Sequence, residues 1–467
     1  MTKIADSFCG YLDISNDTFA YNVSGHLVTL LPAQSELTKI QSTVSRIQNR
    51  NTDSPEYLFG VDNNYRIAIL RKGGFTTSFG GMSFAIKFST PIIIKSSGNT
   101  DYFYSMLAAD WDKFHAITFC GGSINILYNP WMAVEQVAYD SLNIDGAREI
   151  RIRPWNDYTH SVDFEIDGEK VTLTVSVSPD RTDHNEERTG AFSLGKLNSF
   201  IRFSFEKVQC FDKIEKYYGI AKALISILTM QNNVFFEVYL SQKNSNNQLF
   251  ESCICKIFDH YENYSTRSPY DVIAIKCIWE YIPDLIDRIV KKKVKPLLDL
   301  LPEDNRSLGN ISIKNIQDLC TALEVAYSWS RRRKEKDNLI EELKDRIQET
   351  IADFVESHNE IDVIKQTTIA SAFHYLDYTL KQKILTMYQE NSDTINAIIS
   401  KHSLPQMDET NVGSFIKLRN YQTHRGLIEW DDSVRLYTPL FSLIYACLLR
   451  EIKLPEEMIK SILLRLF

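Results

Sequence analysis

The spacing of apolar residues changes period near residue 269, and this change restricts the possible folds more than any other feature of the chain. Before it, short runs of β-branched and aromatic residues are separated by Gly, Asn, Asp or Ser, as strands are. After it, apolar residues recur every three or four positions, as on one helical face. A chain of 467 residues is also longer than a domain with a single hydrophobic core usually is. The pattern predicts a multidomain α+β protein, β-rich first and all-α last.

The clearest prediction in the first part is a β-hairpin. Alternating apolar residues flank Asp167-Gly168, and a two-residue turn of this type requires positive φ at both positions. An amphipathic helix is expected over 211–230. We therefore assign residues 1–245 to a β-rich, sandwich-like domain. Its other expected strands are 8–14, 57–61, 65–70, 83–89, 91–95, 199–205 and 234–240.

The second part reads as helices throughout. Residues 246–308 are predicted to be a helical connector, in which the apolar residues from Ile273 to Ile282 have helical spacing. Residues 309–467 are predicted to be an all-α domain. Ser312 is expected to cap its first helix, and the apolar run Leu440–Leu449 is expected to be a buried helix. The remaining helices are expected over 336–358, 361–403, 411–424 and 455–467.

Composition limits the location and the partners. No segment approaches the roughly 20 apolar residues of a membrane helix, and the start lacks the apolar core of a signal peptide. We therefore expect a cytoplasmic protein without a membrane partner. The formal net charge of −8 excludes non-specific binding of polyanions by the whole chain. RNA, if it binds, should bind to a local patch.

Three residues near the C-terminus have side chains suited to RNA cleavage: Arg419, Asn420 and His424. Asn420 and His424 are four positions apart, so they share a face if the helix persists. Cleavage through the ribose 2′-OH needs a base, an acid for the 5′-oxygen and a fixed cation for the phosphorane charge. Histidine can fill either proton role near pH 7, and arginine is a permanent cation.

Spacing alone does not support this site, because Arg153 and His160 form a second arginine–histidine pair at a similar interval. Pro154 follows Arg153 directly, and the surroundings read as strands and a turn. We interpret Arg153 as a surface or structural arginine.

The three residues, together with their helical context, resemble the motif of a known family. Arg419-Asn420, three residues and His424, late in an all-α domain, resemble the R-N-x-x-x-H motif of HEPN ribonucleases. The segment Leu319–Glu324, Leu-Cys-Thr-Ala-Leu-Glu, resembles the opening helix of that family. A β-rich part of this size before such a domain resembles ApeA-type antiphage proteins in architecture. The motif-bearing resemblance covers about 160 residues, 309–467.

The resemblance implies an activity and partners. It implies a HEPN-like helical bundle that forms a homodimer or higher homo-oligomer, in which two copies of the motif make one composite RNA-cleaving site. Arg419 and His424 would be catalytic and Asn420 supporting, with no cofactor and no metal ion. The RNA substrate, for which tRNA is one candidate, would be cleaved to a cyclic phosphate. The biological role would be abortive infection in antiviral defence, with a phage-derived protein as a trigger.

Each of the other candidate residues has both a functional and a structural interpretation. Arg331, Arg332, Arg333 and Lys334 are RNA-binding candidates, or a solvated helix face. Glu324 either orients the arginine or is a surface residue. Trp111, Trp131 and Trp155 line a recognition surface or pack in the core, and core packing is the favoured interpretation.

The sequence therefore predicts an RNA endonuclease gated by an N-terminal sensing domain. Two alternatives stay open. One is a non-catalytic HEPN-like dimerisation and binding protein. The other is a ligand-binding β module with a helical adaptor.

Overall fold

The α+β organisation predicted from the sequence is confirmed by a computed structural model of the chain. One compact unit comprises 1–229, 233–264 and 274–276, and the other comprises 230–232, 265–273 and 277–467. The structure describes residues 7–14, 17–24, 27–32, 57–63, 66–71, 78–80, 83–87, 92–95, 112–138, 148–179, 197–257, 267–303, 309–358, 378–425 and 432–467.

The first unit is built on an antiparallel sheet. Its described strands are β1 Ser7–Ile14, β2 Asp17–Ser24, β3 Leu27–Pro32, β4 Tyr57–Asp62, β5 Ile67–Arg71, β6 Ser78–Gly80, β7 Ser83–Lys87, β8 Ile92–Lys95, β9 Lys113–Cys120, β10 Val134–Ala138, β11 Arg148–Ile152, β12 His160–Ile166, β13 Glu169–Pro179, β14 Leu197–Cys210, β15 Glu237–Lys243 and β16 Leu249–Lys256. Fourteen of these strands form one continuous sheet, in the order β12-β13-β14-β9-β15-β16-β8-β5-β4-β1-β2-β3-β7-β6, and β10 and β11 form a separate ribbon.

The predicted hairpin is confirmed in β12 and β13. Asp167 and Gly168 form the turn with φ of 52° and 79°, and Ile166 pairs with Glu169 directly across it. Positive φ at both positions matches the right-handed twist of the two strands, which is why Asp-Gly is suited to this turn.

The centre of the sheet has one apolar and one polar face. After a one-turn helix, α1 Ile124–Leu127, helix α2 Ile214–Thr229 follows β14, close to its predicted position. Its Tyr217 packs against Phe203 and Phe205 of β14, with ring centroids 6.2 and 4.6 Å away. Side chains alternate along a strand, so Arg202 lies on the other face, where its Nε donates to Thr118 Oγ1 at 3.0 Å.

Part of the segment predicted as a helical connector is a strand instead. β16 pairs with β15 through a tight turn at Asn244–Gln248 and extends the sheet of the first unit. The polar turn sequence marks a hairpin, whereas we interpreted it as the end of the β-rich part. Residues 275–277 and 279–281 form 3-10 turns in place of the expected helix. The pairing of β16 with β15, which depends on tertiary structure, thus extends the β region past residue 245.

The second unit is helical. Ser312 caps its helix as predicted, with its hydroxyl accepting from the backbone N–H of Asn315. Residues 359–377, part of the helix expected over 361–403, lie outside the described residues. Within the described part of the chain, no helix is long and apolar enough to cross a membrane. The helices are α3 Ile282–Val290, α4 Lys295–Leu300, α5 Ile313–Tyr327, α6 Arg331–Ser357, α7 Leu380–His402, α8 Glu409–Arg425, α9 Tyr437–Glu451 and α10 Glu456–Leu466.

Helix α9 forms the core of this unit. All residues from Pro439 to Arg450 are buried, as expected for the apolar run, and α9 packs against α5, α7 and α10. Its buried charge, Arg450, donates from Nη1 to Asn391 Oδ1 at 2.6 Å and from Nε to Glu456 Oε1 at 2.7 Å. These contacts join α9 to α7 and α10 and satisfy a cation that would otherwise be costly to bury.

The hairpin turn provides a test of the backbone conformation. Gly168→Ala should destabilise the protein by about 1 kcal/mol, because a Cβ would meet no neighbouring atom but would strain the left-handed backbone. The matched control is Gly219→Ala, at an exposed position of helix α2 where a Cβ would meet no neighbouring atom, which should stabilise by up to about 1 kcal/mol. Urea unfolding followed by circular dichroism measures both. Equal effects at the two glycines would contradict this assignment.

The Arg450 contacts provide a second test. Arg450→Ala should destabilise the helical unit by about 3 kcal/mol, because it removes a buried cation and leaves Asn391 Oδ1 without that donor. Glu456→Ala should cost less, about 1 kcal/mol, since the Glu456 side chain is more than half exposed. Urea unfolding curves of the two variants give the comparison, and a larger loss for Glu456→Ala would refute the stated order.

Candidate functional site

Helix α8 carries all three residues of the predicted site. It runs from Glu409 to Arg425 and so includes positions 419, 420 and 424. The condition for positions 420 and 424 to share a helical face, a helix that continues to position 424, is therefore met. Its start is capped by Asp408, whose Oδ1 accepts from the backbone N–H of Asn411 at 2.8 Å. The structure thus places the motif on one continuous helix, with positions 420 and 424 one turn apart along its backbone.

The buried face of α8 fixes its position in the unit. Val412, Phe415 and Leu418 are buried, at the helical spacing seen in the sequence. The helix packs against α5 and α7. Burying three large apolar side chains contributes several kcal/mol, so the rotation of α8 about its axis is well determined up to Leu418. Arg419, the next residue, is half-buried.

Helix α5 supplies the neighbouring surface. Leu319 and Leu323 are fully buried, as expected for the apolar face of the first helix of a bundle. Glu324 is exposed, one turn after the buried Cys320. This exposure agrees with either role considered for Glu324, as a surface residue or as a group that orients an arginine.

Arg419 and Glu324 act on the same buried thiol. Burial raises the pKa of Cys320 to about 11, the positive charge of Arg419 lowers it, and the carboxylate of Glu324 raises it. Both charged groups are therefore close enough to Cys320 to influence its ionisation, and α5 and α8 meet at this point. Sequence reasoning did not include Cys320 in the site. Its position one helical turn before Glu324 was the available signal.

The four basic RNA-binding candidates occupy the first turn of α6. Arg331 is the first residue of this helix, and Lys334 is the fourth; the first turn has no acidic residue. A helix N-terminus carries partial positive charge, so basic residues there are unfavourable by about 0.3–1 kcal/mol each. The basic run Arg331–Lys334 therefore does not contribute to the stability of α6.

The tryptophans differ from the favoured prediction. Core packing is wrong for Trp131 and Trp155, which are 65% and 48% exposed. Trp111 lies outside the described residues. Arg153, which formed the alternative pair with His160, is exposed, as expected for a surface arginine.

Comparisons with protein-family models, with curated proteins and with solved structures give no match for this chain. The HEPN and ApeA-type resemblances therefore stay predictions that rest on the residues themselves. Within the described residues, no three His, Cys, Asp or Glu side chains are grouped to hold a metal ion.

The electrostatic contact across α5 and α8 is testable through Cys320. Arg419→Gln should raise the pKa of its thiol, because a charge that favours the thiolate is lost. Glu324→Gln should lower that pKa, because a charge that disfavours the thiolate is lost. NMR titration of the carbon-13 chemical shift of the Cys320 Cβ measures the pKa without requiring a reagent to reach the buried sulfur. Lys417→Gln, on an exposed position of the same helix, should leave the pKa unchanged, and a change as large as that of Arg419→Gln would contradict the contact.

Proposed function

We propose that this chain is a cytoplasmic RNA endonuclease of the HEPN type, whose catalytic residues are Arg419 and His424 with Asn420 in support. One observation carries the proposal: helix α8 is continuous through all three positions. The electrostatic effect that Arg419 and Glu324 share on Cys320 of α5 supports it. An arginine, an amide and an imidazole on one helix are residue types suited to metal-independent cleavage of RNA.

Each residue has a role that follows from its chemistry. A base removes the proton of the ribose 2′-OH, whose oxygen attacks the adjacent phosphorus. The bond from phosphorus to the 5′-oxygen breaks, and an acid gives that oxygen a proton, which leaves a cyclic phosphate. His424 performs one of the two proton transfers, because imidazole exchanges protons near pH 7. Arg419 neutralises the charge that develops on the phosphorane oxygens, and its permanent charge suits that role.

Arg419 needs to be held in place to act on a phosphorane. Glu324 lies on the exposed side of α5, near enough to share an electrostatic effect on Cys320 with Arg419. We assign Glu324 the role of orienting the guanidinium. The basic first turn of α6 is proposed to contact phosphates of the RNA, because the run Arg331–Lys334 works against the helix dipole.

The motif supplies one histidine per chain, which can serve as base or as acid, whereas the reaction needs both. We therefore propose that two chains bring their Arg419 and His424 sets together, so that each chain holds half a site. The β-rich unit would restrain this activity until an invader is sensed, since unrestrained cleavage would kill the host. The proposed outcome is abortive infection, with RNA as substrate and a phage protein as trigger.

His424→Ala should abolish RNA cleavage, with a loss of about a hundredfold or more, because one proton transfer loses its group. Arg419→Ala should cause a similar loss through the phosphorane charge. Cells that express each variant are challenged with a phage panel, and RNA ends are mapped for cyclic phosphates. Wild type should protect the culture and cleave RNA, and both variants should fail.

Two variants serve as controls in the same assay. His358→Ala removes an exposed histidine at the end of α6, and Lys417→Ala removes an exposed cation from α8 itself. Both should behave as wild type. Cleavage that survives in His424→Ala, or equal toxicity of wild type and that variant, would overturn the proposal. A dimer that never cleaves RNA would instead favour a non-catalytic dimerisation and binding protein.

A further inference from the structure

Two tryptophans on the surface of the first unit are unusually exposed for their type. Trp131 is 65% and Trp155 is 48% exposed, and Ile152 beside them is 50% exposed. Indole rings are large and mainly apolar, so exposing two of them together with an isoleucine is unfavourable in water. We call Trp131, Ile152, Arg153 and Trp155 the tryptophan patch. Such a surface is typical of an interaction site.

The backbone holds the tryptophan patch in a defined conformation. Trp131 lies in the turn Pro130–Ala133, where the Asn129 side chain accepts from its backbone N–H at 3.0 Å. Trp155 begins the turn Trp155–Asp157. The two turns are joined at the base of the β10–β11 ribbon, where the Arg153 N–H donates to the Ala133 carbonyl at 2.9 Å.

The ring of Trp155 is also packed on one side only. It stacks on the buried Phe200 ring with centroids 6.3 Å apart and meets Tyr158 edge-on at 5.6 Å. Its remaining surface faces solvent. A side chain fixed before binding loses little conformational entropy on binding, which favours affinity.

The polar groups of the tryptophan patch are all donors. The side chain of Arg153 is exposed, and among the described residues no hydrogen bond or ion pair occupies its guanidinium or either indole N–H. A planar guanidinium pairs best with a carboxylate, through two parallel hydrogen bonds. Aromatic rings beside an arginine are also the composition of interface hot spots between proteins.

We propose that the tryptophan patch binds a segment of a partner protein that carries acidic residues among apolar ones. The apolar side chains would cover the indole rings, and a carboxylate would pair with Arg153. A nucleic acid fits less well, because it requires several cations, and the neighbouring Arg151 stands opposite Glu135 in the ribbon. The proposal does not depend on the nuclease, since no residue of the Arg419 site takes part.

The experiment selects ligands on the full-length wild-type protein from a phage-displayed library of random linear peptides. The recovered peptides should be enriched in Asp and Glu next to apolar residues. One of them is then synthesised with a fluorescein label, and its Kd is measured by fluorescence anisotropy. Trp131→Ala, Trp155→Ala and Arg153→Glu should each weaken binding by about tenfold or more. Replacing the acidic residue of the peptide by Lys should restore binding to Arg153→Glu.

Matched controls come from the same unit. The exposed fraction of Tyr11, 66%, matches that of Trp131, and the exposed fraction of Phe250, 47%, matches that of Trp155. Tyr11→Ala and Phe250→Ala should leave the Kd within about twofold of wild type, since they remove similar exposed rings outside the patch. Circular dichroism verifies that every variant is folded.

Three results would overturn the proposal. The first is a selection that enriches no peptide, and the second is peptide binding that is unchanged in the Trp131→Ala/Trp155→Ala double variant. The third is binding of fluorescein-labelled oligouridylate RNA to wild type that is lost in the double variant and that no acidic peptide displaces. That last result would assign the patch to single-stranded RNA. None of these results concerns cleavage, so the proposed nuclease stands or fails separately.

Discussion

The helical unit depends on burying helix α9 from all sides. From Pro439 to Arg450 every residue is buried, so α9 has no face left for water and other helices must surround it. Helices α5, α7 and α10 do so, and α8 packs in turn on α5 and α7. Arg450 is the one charge in that stretch, and its contacts with Asn391 and Glu456 join three helices at one point. The positions of the surrounding helices, including the one that bears Arg419, follow from this arrangement.

The placement of the candidate site is a consequence of ordinary packing. Val412, Phe415 and Leu418 bury one face of α8, and the residue after them is Arg419. The same rule applies to α5, where buried leucines leave Glu324 on the exposed side. The ionisation of Cys320 is influenced by both charged groups, in opposite directions. The position of Arg419 therefore relies on the apolar contacts of its neighbours on α8.

The two units differ in how they relate to possible partners. The helical unit carries the motif with the residue types that RNA cleavage needs. The β-rich unit presents Trp131 and Trp155 to solvent from two joined turns, with Arg153 between them along the chain. A stability argument alone would place such rings in the core, as the sequence led us to expect. Their exposure is the observation from which the tryptophan patch was proposed as a binding site.

The sequence by itself determined the α+β order, the Asp167-Gly168 turn, the Ser312 cap and the buried helix at Leu440–Leu449, because these depend on local backbone geometry and apolar periodicity. It also supplied the motif residues on α8. Only the tertiary structure decided that β16 extends the sheet, since strand pairing joins residues that are distant in sequence, and that α5 and α8 bring Cys320 near Arg419. It also decided the exposure of Trp131 and Trp155. Apolar character indicates a preference for burial, whereas the space available in the packed unit determines which side chains are buried.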